Sequence, residues 1–284
     1  MGKLLLKVKR HARLLVQIGF MVLTNGNFKG FAEGRIYTGN TKHICVPGLN
    51  CYSCPGALGA CPIGSLQAVE GSRFRVSFYV VGLLVVFGAV LGRFVCGWFC
   101  PFGLVQDLFH KIPSSRKIKK LPGDRVLRYG KYVILAVLVV LLPSIIRDAF
   151  GIADPWFCKY LCPSGTLMGG IPLVLANPSL QDAVGGLFWW KMGLLVFLLV
   201  LSILVWRPFC RYLCPLGVIY GFFNPIAVVH YDIDREKCTG CGACQRACKL
   251  DLCTYQTPNS RECVRCGDCK RTCPHQAIRI CFFK

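Results

Sequence analysis

Acidic residues are scarce in this chain of 284 residues. Only 13 Asp and Glu stand against 34 Lys and Arg, a formal charge of +21. Histidine is sparse too, at five residues: His11, His43, His110, His230 and His275. They form no H-x-x-H and no C-x-x-C-H, which removes haem attachment and histidine metal motifs from consideration. No Walker loop and no G-x-G-x-x-G following a strand is present, so nucleotide or NAD binding has no support. A nucleic-acid role fails for a different reason: the basic residues do not interleave with stacking aromatics.

What the chain has in excess is apolar surface and cysteine. Hydrophobic residues make up 54%, and 20 are cysteines. The mean hydropathy of +0.50 is too high for a single soluble domain and points to a bilayer. Disulfide scaffolds are usually short and secreted, so metal ligation is the better reading of these thiols. Each [4Fe–4S] cluster with four thiolates adds roughly −2, so four of them would offset about 8 of the positive charges.

Three segments have the length of a spanning helix, at about Val76–Val95, Tyr129–Ile146 and Leu187–Trp206, and a weaker fourth lies at about Ala12–Phe28. The predicted fold is therefore an α-helical polytopic membrane protein of about four transmembrane helices, residues 1–230. A C-terminal α+β two-cluster ferredoxin-like domain follows at 231–284. The N-terminus reads as an uncleaved anchor, since no small-residue cleavage pattern follows the basic start. Lys111, Arg116, Lys117, Lys119, Lys120, Arg125 and Arg128 crowd one inter-span loop, which the positive-inside rule makes cytoplasmic. The tail is then cytoplasmic, and the Cys45–Cys61 and Arg147–Gly186 regions lie outside, in a bacterial or archaeal inner membrane.

The tail repeats one spacing twice. Cys238, Cys241, Cys244 and Cys248 are followed by Cys263, Cys266, Cys269, Cys273 and Pro274. In this two-cluster pattern the fourth cysteine of each run serves the other cluster. One cluster takes Cys238, Cys241, Cys244 and Cys273; the other takes Cys263, Cys266, Cys269 and Cys248. Zinc would gain nothing from that crossing. Lys249 stands where the first run lacks its proline.

The apolar part carries a repeat of its own. "CGWFCPFG", "CKYLCPSG" and "CRYLCPLG" share C-x3-C-P-x-G, at Cys96/Cys100, Cys158/Cys162 and Cys210/Cys214. "CPGALGACPIG" keeps C-P-x-G at Cys61, with Cys54 upstream. Proline after the second cysteine suits the first turn of a helix, which puts the thiolate near a positive helix end. Topology pairs Cys96/Cys100 with Cys210/Cys214 on the cytoplasmic side. It pairs Cys54/Cys61 with Cys158/Cys162 on the outer side. A rival outer set is Cys45, Cys51, Cys54 and Cys61, which strands Cys158/Cys162; if the shared set holds, Cys45 and Cys51 are spare and could form a disulfide. For a single pair, two structural thiols would suffice as explanation. Four copies argue for clusters at both faces.

These motifs together resemble the polyferredoxin-type membrane proteins of the NapH/NosR class, over most of the chain from the second span to Pro274. That class includes the quinol-dehydrogenase subunit of periplasmic nitrate reductase systems. The resemblance implies an inner-membrane electron-transfer subunit of an oxidoreductase complex, working with quinol or a periplasmic redox partner. The "CKYLCPSG" pair and the Cys45–Cys61 loop are additions to the simpler pattern and favour passage of electrons across the membrane. Expected partners are the bilayer and a redox protein, either a cytoplasmic ferredoxin or flavodoxin or an extracytoplasmic flavin or iron–sulfur subunit. An assembly or maturation factor and a quinol dehydrogenase are the competing readings. Trp98, Phe99, Tyr160, Trp189 and Trp190 either line a quinone pocket or anchor the protein at the interface. The basic loop either docks an acidic partner or sets topology. Cys253 and Cys281 have no assigned role.

Overall fold

The computed structural model describes residues 2–70, 78–114, 116–148 and 153–283, with the backbone alone for 2–10 and 70. The start of the predicted first strong span, before Phe78, lies outside the described residues. The fold is mostly helical. Two helices, Asp124–Ile145 and Gly186–Leu204, are long and apolar enough to cross a bilayer. Three of the apolar helices are shorter, at His11–Thr24, Phe78–Leu91 and Pro163–Ala176. Four full spans were expected. The described part of one apolar helix, Phe78–Leu91, ends where Gly92 takes a left-handed conformation and Arg93 is buried. Phe78, Val86, Val133, Phe197 and Val200 are exposed on their helices, an unpartnered apolar surface of the kind lipid covers.

Each C-P pair marks a helix boundary. Cys100, Cys162 and Cys214 adopt extended backbone at the N-cap positions of helices that open on Pro101, Pro163 and Pro215. The helices cross over. Pro101–His110 packs on Gly186–Leu204, while Pro215–Phe223 packs on Phe78–Leu91. Each motif helix thus leans on the span that leads to the other motif. The short Pro62–Glu70 helix packs against the Leu135–Leu141 stretch, where the second span widens to a π-helix.

The tail begins and ends in one antiparallel pair, β1 (Val229–Ile233) with β2 (Ile278–Phe282), in register from Val229↔Phe282 to Ile233↔Ile278. Between the strands lie two one-turn helices, Ala243–Ala247 and Asp268–Thr272, which pack together. Each is entered through a glycine at positive φ, Gly242 at 70° and Gly267 at 85°, a conformation that costs other residues about 1–2 kcal/mol.

A buried polar network locks the tail to the helices. Asn224 donates to the Ser260 and Cys263 carbonyls at 2.7 and 2.8 Å and accepts from the Arg93 N–H at 3.1 Å. Arg265 returns the contact, donating to the carbonyls of Leu91 and Asn224 at 2.9 and 2.7 Å. Glu262 sits between Lys131 at 2.5 Å and Arg93 at 3.0 Å. The basic loop contributes as well: Lys119 donates to the Arg246 carbonyl and Lys120 pairs with Asp251. Glu262→Ala therefore strands two buried cations. It should cost about 3–5 kcal/mol, seen as a lower unfolding temperature and earlier tryptic release of the tail.

Candidate iron–sulfur sites

Four groups of four thiols emerge when the elements are assembled. In the tail, Cys238, Cys241, Cys244 and Cys273 line one cavity. Cys248, Cys263, Cys266 and Cys269 line a second. The fourth cysteine of each run is thus carried to the other run's triplet, the crossing expected from the spacing. Among the described residues no three cysteine, histidine or acidic side chains crowd around the space of one ion.

The third group, the paired set, is Cys96, Cys100, Cys210 and Cys214. All four are buried, and Cys214 lies within electrostatic range of the other three. The expected pairing of these two motifs is the one found in space. Arg93 and Arg207 each stand three residues before the first cysteine of their own motif. Arg93 donates to the Cys210 carbonyl, and Arg207 donates to the Cys96 carbonyl. The motif glycines make room for this exchange. A Cβ on Gly103 would meet the Arg207 guanidinium at 3.2 Å, and one on Gly217 would meet Arg93 at 3.2 Å. Asp107 anchors Arg207 and also accepts from Trp206 at 2.8 Å. Burial would push the Asp107 carboxyl up, yet Arg207 and Arg13 hold it well below the usual carboxylate range. It is ionised at any physiological pH.

The fourth group, the mixed set, differs from the expected one. Cys61, Cys158 and Cys162 come together, and the thiol that joins them is Cys51: Cys162 lies within range of Cys158, Cys51 and Cys61. Cys54, expected here, is buried beside Ala57 and Met168, with its sulfur 3.6 Å from Asn25 Oδ1. The reason is local: turn hydrogen bonds from the Cys54 and Ala57 N–H groups fold Cys54 into the loop interior and leave Cys51 at its edge. Cys45, from the self-contained alternative, lines the same cavity as Cys51 and Cys61, with its sulfur 3.3 Å from the Ser65 hydroxyl. Neither Cys45 nor Cys51 is disulfide-bonded. Lys42 and Lys191 lie within electrostatic range of Cys51. A cavity of about 740 Å³ opens beside the set, lined by both lysines, Tyr52 and Tyr79.

The groups adjoin one another. A Cβ on Gly97, inside the first C-x3-C, would come within 2.2 Å of the Val264 carbonyl oxygen in the second tail run. Trp98 donates to the Arg265 carbonyl at 3.0 Å beside it. On the opposite side, buried Tyr220 lies within range of Cys96, Cys100 and Cys214 and also of Cys61. Its hydroxyl donates to the Pro47 carbonyl at 2.8 Å. The Cys45–Cys61 loop therefore folds back against the paired set instead of standing away from it, and Gly48 packs on the Phe99 carbonyl and Cys100.

The remaining expectations resolve more simply. These aromatics fall into two groups: Trp98 and Phe99 pack on Phe94, with Trp98 bonded to the tail, while exposed Trp190, next to Trp189, donates to the Tyr160 carbonyl at 3.1 Å. Cys253 lies 3.6 Å from Gln245, and Cys281 is a strand residue opposite His230.

Comparison with known proteins places this arrangement. A family model described as a 4Fe-4S binding domain matches residues 73–120, 132–173 and 187–230. A second model of the same description matches 230–250. Each of the first three matches contains one C-x3-C-P motif. The chain is 32% identical over 192 residues to the methylamine utilization ferredoxin-type protein MauN of Methylorubrum extorquens, covering 67% of this chain and 55% of that one. It is 26% identical over 194 residues to the ferredoxin-type protein NapH of Haemophilus influenzae, 66% of this chain and 59% of NapH. It is 30% identical over 177 residues to the regulatory protein NosR of Stutzerimonas stutzeri, 60% of this chain but only 22% of NosR. No solved structure matches the chain. These findings define an iron–sulfur protein of the electron-transfer class. The chain belongs to the NapH/NosR-type polyferredoxins.

Asp107→Asn would leave Arg207, 1% exposed, without its counter-charge. It should destabilise the protein by about 3–5 kcal/mol, read as a fall in unfolding temperature.

Proposed function

We propose that the chain conducts electrons across a membrane through four [4Fe–4S] clusters. Two are held by the tail sets, one by Cys96, Cys100, Cys210 and Cys214, and one by Cys51, Cys61, Cys158 and Cys162. When bound, such clusters supply reversible one-electron storage at potentials set by burial, charge and hydrogen bonds. The observation that carries the reading is contiguity: Gly97 touches Val264 of the tail, and Tyr220 lies between the paired set and Cys61.

The rest of the chain supports a conduit. A bilayer core of about 30 Å is long for a single step. The folded-back Cys45–Cys61 loop supports a shorter one by bringing the mixed set inward. The cavity beside that set, with its two lysines, suits exchange with an extracytoplasmic redox partner. At the other end, a cavity of about 600 Å³ is bordered by Arg13, Lys111, Lys249 and Arg271 beside the second tail set. Its basic rim favours encounter with an acidic cytoplasmic carrier.

Anaerobic purification with iron and sulfide analysis tests the ligand sets. The wild type should carry about sixteen iron atoms. Cys51→Ser, or Cys96→Ser with Cys210→Ser, should lower this to about twelve, whereas Cys54→Ser should leave it unchanged. About eight iron atoms in the wild type would reduce the protein to its two tail clusters. In vesicles with an oxidised dye trapped inside, an impermeant external reductant should bleach the dye with the wild type and not with Cys51→Ser. Equal bleaching by both would rule out passage through the mixed set.

A further inference from the structure

We infer that Gln67 and Gln106 are matched positioning residues, each placing one amide N–H on the sulfur of a cluster-ligating cysteine in the opposite motif. The inference rests on the cluster reading above and deepens it. Gln106 stands six residues after Cys100, and Gln67 stands six residues after Cys61. Both are fully buried, at 1% and 0% exposure.

Their bonding is the same, atom for atom. Gln106 Oε1 accepts the backbone N–H of Phe209 at 3.2 Å, and its Nε2 lies 3.2 Å from Cys210 Sγ. Gln67 Oε1 accepts the backbone N–H of Phe157 at 2.9 Å, and its Nε2 lies 3.2 Å from Cys158 Sγ. In both cases the acceptor sulfur belongs to the first cysteine of a C-x3-C pair, and the donor N–H to the phenylalanine before it. A backbone N–H can only donate, so it fixes the amide oxygen on its side and turns the NH₂ towards the sulfur. The second N–H of each NH₂ has a partner in its own helix, the carbonyl of Phe102 for Gln106 and of Ile63 for Gln67. A glutamine that merely filled space would need only that helix contact. Here the free N–H goes to a thiolate, a charge-assisted bond that favours the more negative, reduced state of a cluster.

The equivalence also orders the mixed set against the paired one. Cys61 corresponds to Cys100, Cys158 to Cys210 and Cys162 to Cys214, so Cys51 fills the place of Cys96. The same position in the other two motifs holds Met168 and Tyr220, which carry no amide. The paired set and the mixed set thus receive one such bond each.

The test is a redox titration of the full chain, purified without oxygen, followed by electron paramagnetic resonance. Gln106→Leu should lower the potential of one cluster and Gln67→Leu that of a different one, the other clusters staying fixed and iron staying at about sixteen atoms. Gln→Glu at either site keeps the acceptor for the phenylalanine N–H but sets a negative charge against the sulfur, so it should lower the same potential further. If a leucine variant loses iron, the glutamate variant decides: a downward shift supports the inference and no shift overturns it. Unmoved potentials at full iron content, or one signal moved by both leucine variants, would also overturn it. Wild-type protein with about eight iron atoms would remove the membrane-domain clusters themselves, an outcome read from the iron count before any potential is measured.

Discussion

The exchange of arginines between two motifs is the contact on which the rest of the structure depends. Arg93 and Arg207 lie almost wholly buried, and each caps the first cysteine carbonyl of the other's motif. Burying a guanidinium is expensive unless it is paired and fully bonded. The protein meets that demand with Asp107 for Arg207 and Glu262 for Arg93. Glu262 belongs to the tail, so satisfying Arg93 also seats the tail. Asp107 belongs to the helix opened by Cys100 and Pro101, so satisfying Arg207 fixes that helix against the Gly186–Leu204 helix. One electrostatic requirement thereby joins both motifs, two long elements and the C-terminal domain.

This puts the large positive charge in a different light. Arg93, Lys131, Arg207, Arg211 and Arg265 are buried and committed to carbonyls or carboxylates within the chain. Three of them, Arg93, Arg207 and Arg265, lie within electrostatic range of the thiols, whose negative charge as ligands they would offset. Part of the basic loop is spent in the same way: Lys119 and Lys120 bond to the tail. Charge that composition alone assigns to topology or to a partner is here also cohesion.

Much of this was legible from spacing. The crossed tail sets and the union of Cys96/Cys100 with Cys210/Cys214 follow from motif register and hydropathy. The place of Cys51 did not, because nearness in sequence favoured Cys54 and the turn that buries Cys54 depends on backbone bonds with no sequence signature. The closeness of the Cys45–Cys61 loop to the paired set was hidden for a similar reason. It is made by Tyr220 reaching the Pro47 carbonyl and by Gly48 lying on Cys100, contacts between segments far apart in the chain. The glutamines are a different case. Aligning the four C-P-x-G units places Gln67 and Gln106 in one column beside Met168 and Tyr220, so a signal existed, but glutamine in an apolar helix does not announce a sulfur as its partner.

That column also explains how two similar sets are made to differ. Gln67 and Gln106 give each set one sulfur-bound amide, so the difference lies in what surrounds it. The paired set is enclosed by two arginines whose charges are already shared with Asp107 and Glu262, and the tail covers one side. The mixed set faces Lys42 and Lys191, of which Lys42 bonds to the Ala57 carbonyl and Lys191 to the Cys158 carbonyl, and among the described residues neither pairs with a carboxylate. Positive charge left unpaired by acid near a cluster favours its reduced state more than charge already neutralised. The two sets therefore sit in different electrostatic surroundings, the mixed one beside the cavity of about 740 Å³. Tyr220, bonded to the loop and packed beside Cys100, occupies the ground between them and keeps water out of it.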